Sequence, residues 1–127
     1  MNSENLLKIV LIVGGIVEII IGSLFLFLDI IFKQIGLENI PIFTQMAGSF
    51  LLCYGILLVY SARDAEKFLI IPLVNILVRI IMIIFSLMNI FEYPEFLGIL
   101  LFAIPYDLVW SVFCIILLKI NELIFKN

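Results

Sequence analysis

The chain has 127 residues, about the length of one domain, and a formal net charge of -3 at pH 7. Hydrophobic residues make up 65% of it and charged residues 13%, whereas soluble domains carry about 25% charged residues. So few polar groups could not cover a globule of this size in water, which excludes a soluble enzyme, a nucleic-acid-binding protein and a disordered chain. The composition therefore predicts an integral membrane protein, with the lipid bilayer as its first partner.

Four apolar stretches are each long enough to cross a hydrocarbon core of about 30 Å, which takes about 20 helical residues. They cover approximately residues 8–31, 42–62, 68–91 and 96–119. The predicted fold is all-α, a single transmembrane domain over residues 1–127 in the form of an integral membrane four-helix antiparallel bundle.

The connections between these spans support the antiparallel arrangement. Residues 63–67 and 92–95 are short links, so helices that are neighbours in the sequence must pack against each other in opposite directions. The first connection, from Asp29 to Pro41, is longer and mixes apolar with charged residues. It is compatible with a short amphipathic helix along the membrane interface that ends near Gly36.

The Lys and Arg residues outside the spans are distributed unevenly between the two ends of the predicted bundle. One end carries only Lys33, accompanied by Asp29, Glu38, Glu92 and Glu95. An excess of cations in short loops marks the cytoplasmic side, so both termini are predicted to be cytoplasmic in the inner membrane of the cell. The cations at that end are Lys8, Arg63, Lys67, Lys119 and Lys126.

Three of the spans contain one ionisable residue each, namely Glu18, Arg79 and Asp107. Each lies ten to twelve residues from the nearest lysine of the cytoplasmic side, a depth of about 15–18 Å that is close to the midplane. Because a central Arg or Asp costs about 2.5–3.5 kcal/mol to insert, we expect Arg79 to pair with both carboxylates. Such a cluster either fixes the register of the helices or surrounds a substrate, ion or proton site.

Small and polar residues recur along one face of each span. Another helix can approach such faces closely, so we expect them to turn inward while the Ile and Phe faces meet lipid. The first face contains Gly14, Glu18 and Gly22, and the second contains Gly48 and Gly55. The third contains Pro72, Asn75, Arg79, Met82 and Ser86, and the fourth contains Ala103, Asp107, Ser111 and Cys114.

The sequence contains no pattern typical of a metal or redox centre. It has no histidine, and its two cysteines, Cys53 and Cys114, do not form a C-x-x-C motif. Their predicted depths differ by roughly 10 Å, too far for a disulfide. No metal site and no cofactor are therefore expected.

Three short motifs lie in the first, second and fourth spans. They are Gly15-x-x-Glu18-x-x-x-Gly22, the segment MAGSFLLCYG at 46–55 followed by Ala62-Arg63-Asp64, and YDLVW at 106–110. This pattern resembles the small four-helix bacterial membrane proteins of the DoxX-like group. The resemblance implies a membrane subunit of a quinone-linked oxidoreductase or a protein that assists the assembly of a membrane complex, and it brings no cofactor motif.

Two function hypotheses follow, and an enzyme is disfavoured because no nucleophile–base pair or metal set is visible. The first is a membrane protein that binds a small amphipathic molecule, such as a quinone or a lipid-like molecule, or that serves as an accessory subunit beside a membrane protein partner or a second copy. The second is a small proton-coupled transporter in which Glu18 or Asp107 titrates. The candidate site residues are Glu18, Arg79, Asp107, Asn75, Tyr54 and Trp110, with Trp110 and Tyr106 acting either as packing residues or as stacking platforms for a ligand.

Overall fold

The structure is a computed structural model that describes residues 2–36 and 40–125. Throughout these residues the regular elements are helical, and four of the helices are long and apolar enough to cross a membrane. The long helices are α1 (Ser3–Leu26), α3 (Pro41–Ser61), α4 (Ile70–Asn89) and α5 (Leu97–Ile120), and the short ones are α2 (Leu28–Gln34) and a 3-10 turn (Pro94–Phe96). The predicted all-α fold with four apolar spans is confirmed.

The first helix is displaced from its predicted span of about 8–31. It begins at Ser3, where the side chain of Asn2 accepts a hydrogen bond from the backbone N–H of Glu4 and so caps the helix. It ends at Leu26, because the backbone of Phe27 leaves helical geometry with φ -113° and ψ 7°. Sequence hydropathy alone could not find this break, since the residues on both sides of it are apolar.

The short helix expected after the first span is present as α2. It ends at Gln34, and Gly36 follows in the left-handed conformation with φ 73°, which glycine adopts without steric cost. Phe32 of α2 is buried, and its ring centroid lies 5.7 Å from that of Phe96, the last residue of the 3-10 turn before α5. Residue Glu38, which the sequence places on the acidic side, lies outside the described residues.

Two glycine pairs hold α1 and α3 in close antiparallel contact. A Cβ atom at Gly15 would lie 2.6 Å from the carbonyl oxygen of Gly55, and one at Gly22 would lie 2.7 Å from that of Gly48. The close packing predicted for Gly48 and Gly55 is therefore confirmed. The predicted inward face of α1 packs against two helices. Gly22 lies against α3, whereas Gly14 lies against the indole of Trp110 on α5.

The four long helices form a ring in which α1 packs against α3 and α5, and α4 packs against the same two helices. Helices α1 and α4 therefore occupy opposite corners of the bundle. A side-chain contact between them must cross the centre.

Buried apolar side chains are concentrated in one half of the bundle, at the end that carries the chain termini and the 62–69 connection. They include Leu7, Leu11, Leu58, Ile76 and Leu118.

The inward face predicted for α4 ends at Arg79. Met82 is 54% exposed and Ser86 is only half-buried, so the prediction that Met82 turns inward is wrong. Lipid solvates apolar side chains as well as a protein core does, so no hydrophobic force draws this part of α4 against its neighbours.

We expect Gly55→Ala to destabilise the protein by about 1–3 kcal/mol, the usual cost of overpacking. The added methyl group would lie 2.6 Å from the carbonyl oxygen of Gly15 and 2.8 Å from the backbone nitrogen of Ile19, so α1 and α3 would have to separate. Unfolding in detergent micelles measures the change. Gly98→Ala is the control, because a Cβ there meets nothing within 4 Å, and equal stability of the two variants would contradict the packing argument.

Candidate functional site

The three ionisable residues of the spans meet in one cluster, as the sequence predicted. Arg79 of α4 forms ion pairs with Glu18 of α1, at 2.6 Å between Nη2 and Oε1, and with Asp107 of α5, at 2.5 Å between Nη1 and Oδ1. The pair with Glu18 crosses the bundle between its opposite corners. One arginine therefore connects three of the four long helices.

Asn75 belongs to the same cluster and adds two hydrogen bonds to it. Its side-chain amide donates to Glu18 Oε1 at 2.8 Å, and its carbonyl oxygen accepts from Arg79 Nε at 2.8 Å. Asn75 lies one helical turn before Arg79 in α4, so both side chains point to the same face. Each of the three guanidinium nitrogens thus donates at least one hydrogen bond, and Arg79 is only 4% exposed.

Two aromatic rings of α5 lie against the guanidinium of Arg79. Its central carbon is 4.2 Å from the ring centroid of Trp110 and 5.3 Å from that of Tyr106, within the range of a cation–π interaction. The indole N–H of Trp110 also donates to the carbonyl oxygen of Val10 at 3.4 Å. Both rings therefore pack against Arg79, and a role for them as stacking platforms for a ligand stays a prediction.

Tyr54 is the one candidate that the structure does not bring into the cluster. It lies on α3, is half-buried, and makes no hydrogen bond to any cluster side chain within the described part of the chain. It directly precedes Gly55, so it points about 100° away from the face that packs on α1. A contact between Tyr54 and a ligand stays a prediction.

Several buried oxygen atoms of the site lack a hydrogen-bond partner among the described residues. They are Glu18 Oε2, the Tyr106 hydroxyl and Ser111 Oγ. Two carboxylates also face one guanidinium, so one formal negative charge is unbalanced when both are ionised. The cluster thus retains unused capacity to bind a proton, a cation or a hydrogen-bonding group.

An apolar groove of about 530 Å³ runs between α1 and α5 beside the cluster. Its volume lies within the usual range for small-molecule sites, about 300–1,000 Å³. The residues along it include Val10 and Val13 of α1 and Phe102, Tyr106, Trp110 and Phe113 of α5. Tyr106 and Trp110 therefore have one side in the groove and the other against Arg79. The groove was not predicted from the sequence. The only sign of the groove in the sequence is the i, i+4, i+8 spacing of Phe102, Tyr106 and Trp110.

The two thiols are free, with Cys53 exposed and Cys114 buried. Within residues 2–36 and 40–125, no group of three or more His, Cys, Asp or Glu side chains could hold a metal ion.

Comparison with protein-family models, with curated proteins and with solved structures finds no match to this chain. The resemblance to the DoxX-like group thus stays a prediction.

We expect Arg79→Met to destabilise the protein by about 3–5 kcal/mol, because it leaves two carboxylates without their cation. Replacing all three charged residues by apolar ones avoids that penalty. Asn75 bonds to both Glu18 and Arg79, so the variant for comparison also carries Asn75→Leu beside Glu18→Leu, Arg79→Met and Asp107→Leu. We expect this quadruple variant to be more stable than Arg79→Met alone.

Unfolding in detergent compares these proteins. Lys8→Met is the control, since it removes the exposed ion pair with Glu4 and should change stability by less than about 1 kcal/mol. A quadruple variant less stable than Arg79→Met would overturn the idea that the charges stabilise the fold only as a set.

Proposed function

We propose that this chain is a membrane protein without enzymatic activity of its own, which binds a small amphipathic molecule in the groove between α1 and α5. A quinone and a lipid-like molecule are the candidate ligands. The protein with its ligand would act alone or as an accessory subunit of a membrane complex. The observation that carries the proposal is that Tyr106 and Trp110 belong both to the apolar groove and to the charged cluster.

The shape of the groove suits a ligand that arrives from the bilayer. Exposed side chains border it, with Val13 at 52% and Phe102 at 71% exposure, so its mouth opens on the surface that faces lipid. Apolar parts of the ligand would lie against these residues, while a polar head would reach the edge of Tyr106. The side chain of Asp107, 20% exposed, is the most accessible charged group of the cluster.

The orientation in the membrane is part of the proposal. Lys8, Arg63, Lys67 and Lys119 lie at one end of the helices, whereas Lys33 of α2 lies at the other and pairs with Asp29 at 3.7 Å. Arg63 and Lys67 also lie over the rings of Tyr60 and Phe68, and tyrosine is enriched where helices leave the bilayer. Lys126 lies outside the described residues. We propose the inner membrane, with both termini cytoplasmic.

Single cysteines test this orientation in a variant with Cys53→Ser and Cys114→Ala. A maleimide that cannot cross membranes should label Glu92→Cys in intact cells, because the 92–95 connection faces outward. It should label Glu66→Cys only after permeabilisation. Labelling of Glu66→Cys in intact cells would contradict the proposed orientation.

The binding proposal is tested through Trp110, the single tryptophan of the chain. In lipid nanodiscs, decylubiquinone and a lipid with a brominated acyl chain should quench its fluorescence saturably, since both act at short range. Val13→Phe should raise the dissociation constant obtained from the quenching by about tenfold, equivalent to about 1.4 kcal/mol, because the added ring fills the groove. Ile16→Phe is the matched control, as Ile16 is a similarly exposed residue of α1 outside the groove.

Quenching that does not saturate, or that is equal in the two variants, would contradict binding in the groove.

The second candidate function, a proton-coupled transporter, is favoured by the unbalanced charge and by the unpartnered Oε2 of Glu18. Sealed vesicles distinguish the two functions. A transporter moves protons or a solute, and Glu18→Gln or Asp107→Asn abolishes the flux, whereas a binding protein moves nothing.

A further inference from the structure

The charge of the cluster restricts the chemistry of the ligand. Among the described residues, Glu18 and Asp107 form ion pairs with Arg79 and with no other cation. One negative charge therefore remains unbalanced beside the groove when both carboxylates are ionised. Because the surroundings are apolar, this charge is poorly screened and acts over several ångströms.

The wall of the groove has the same electrostatic preference. Phe102, Tyr106, Trp110 and Phe113 follow one stripe of α5 and bring four aromatic rings to the groove. The faces of these rings carry partial negative charge and attract cations. The protein already uses two of them in this way, since Arg79 lies against Tyr106 and Trp110. Phe102 is 71% exposed, so its ring is accessible to a ligand.

A ligand head of negative charge finds no corresponding partner. Three of the five N–H groups of Arg79 donate hydrogen bonds inside the cluster. The residue is only 4% exposed, so its two remaining N–H groups are buried and an anion in the groove has little access to them. When both carboxylates are ionised, the anion would also be repelled by the unbalanced negative charge of the cluster.

We infer that the ligand of the groove is a lipophilic monovalent cation, whose apolar groups lie on the aromatic stripe of α5 and whose positive charge balances the second carboxylate of the cluster. This inference rests on the proposed function, because it assigns a charge to the amphipathic molecule that binds at the same site, and it disfavours a quinone, which is neutral. Of the two carboxylates, Asp107 is the better candidate to pair with the cation, because its side chain is 20% exposed against 7% for Glu18 and it directly follows Tyr106 of the groove in the sequence.

Two ions of the same shape and opposite charge test the inference. Tetraphenylphosphonium and tetraphenylborate are compared by equilibrium dialysis against the protein in nanodiscs of zwitterionic lipid, with empty nanodiscs subtracted. Binding that Val13→Phe abolishes is taken as binding in the groove. We expect groove binding of the cation to be about tenfold tighter than that of the anion, because the unbalanced charge of the cluster attracts one ion and repels the other.

Asp107→Asn removes the unbalanced charge and should lower the affinity for tetraphenylphosphonium by about tenfold. Glu4→Gln is its matched control, because it makes the same change in net charge at an exposed carboxylate far from the groove. Phe102→Leu provides a second test that does not depend on the cluster. Phe102 is largely exposed, so the fold should tolerate the change, while the loss of its ring should weaken cation binding several-fold.

Equal affinity for the two ions, or tighter groove binding of tetraphenylborate, would overturn the inference and leave the proposed function standing. Saturable groove binding of decylubiquinone without any binding of tetraphenylphosphonium would do the same. If none of the three probes binds in a way that Val13→Phe abolishes, the proposed function fails together with the inference. An effect of Glu4→Gln as large as that of Asp107→Asn would also overturn the role of the cluster charge.

Discussion

A guanidinium group that cannot lose its proton, placed at the centre of an apolar bundle, is the constraint on which this structure depends. Arg79 satisfies it with partners on two other helices, Glu18 and Asp107, and with Asn75 on its own helix. Because the pair with Glu18 crosses between opposite corners of the bundle, it fixes the rotation of α1 and α4 although these helices are not neighbours. Aliphatic contacts between helices in lipid lack this directional specificity.

The glycine contacts between α1 and α3 fix the distance between these two helices. Gly15 and Gly22 bring the backbone of α1 against that of α3, so Glu18, between them in sequence, is held at a defined depth. The buried apolar core fills the half of the bundle on one side of the cluster, and the far half of α4 is largely exposed to lipid. The charged cluster thus lies at the boundary between the closed and the open half of the molecule.

Helix α5 connects this cluster to the membrane. Asp107 of this helix pairs with Arg79, and the aromatic stripe of the same helix lines the groove. Two rings of the stripe, Tyr106 and Trp110, also contact Arg79. A ligand on the stripe would therefore be within the electrostatic influence of the carboxylates without entering the bundle centre. Binding and any transfer of a proton would be coupled through the same few side chains, which is why the two candidate functions share one site and differ only in flux.

The sequence by itself determined the four apolar helices, because hydropathy over about 20 residues is a local property. It also determined the cluster of Glu18, Arg79 and Asp107, since an unpaired charge at the midplane is too costly to face lipid. Only the tertiary structure decided that Gly14 contacts Trp110 and that Gly15 faces α3. In a stripe of small side chains, the sequence does not show which of two adjacent residues faces a given helix. The tertiary structure also decided that Met82 faces outward and that α1 and α5 leave a groove, because in lipid apolar residues are stable on either face and their positions depend on how neighbouring helices happen to fit.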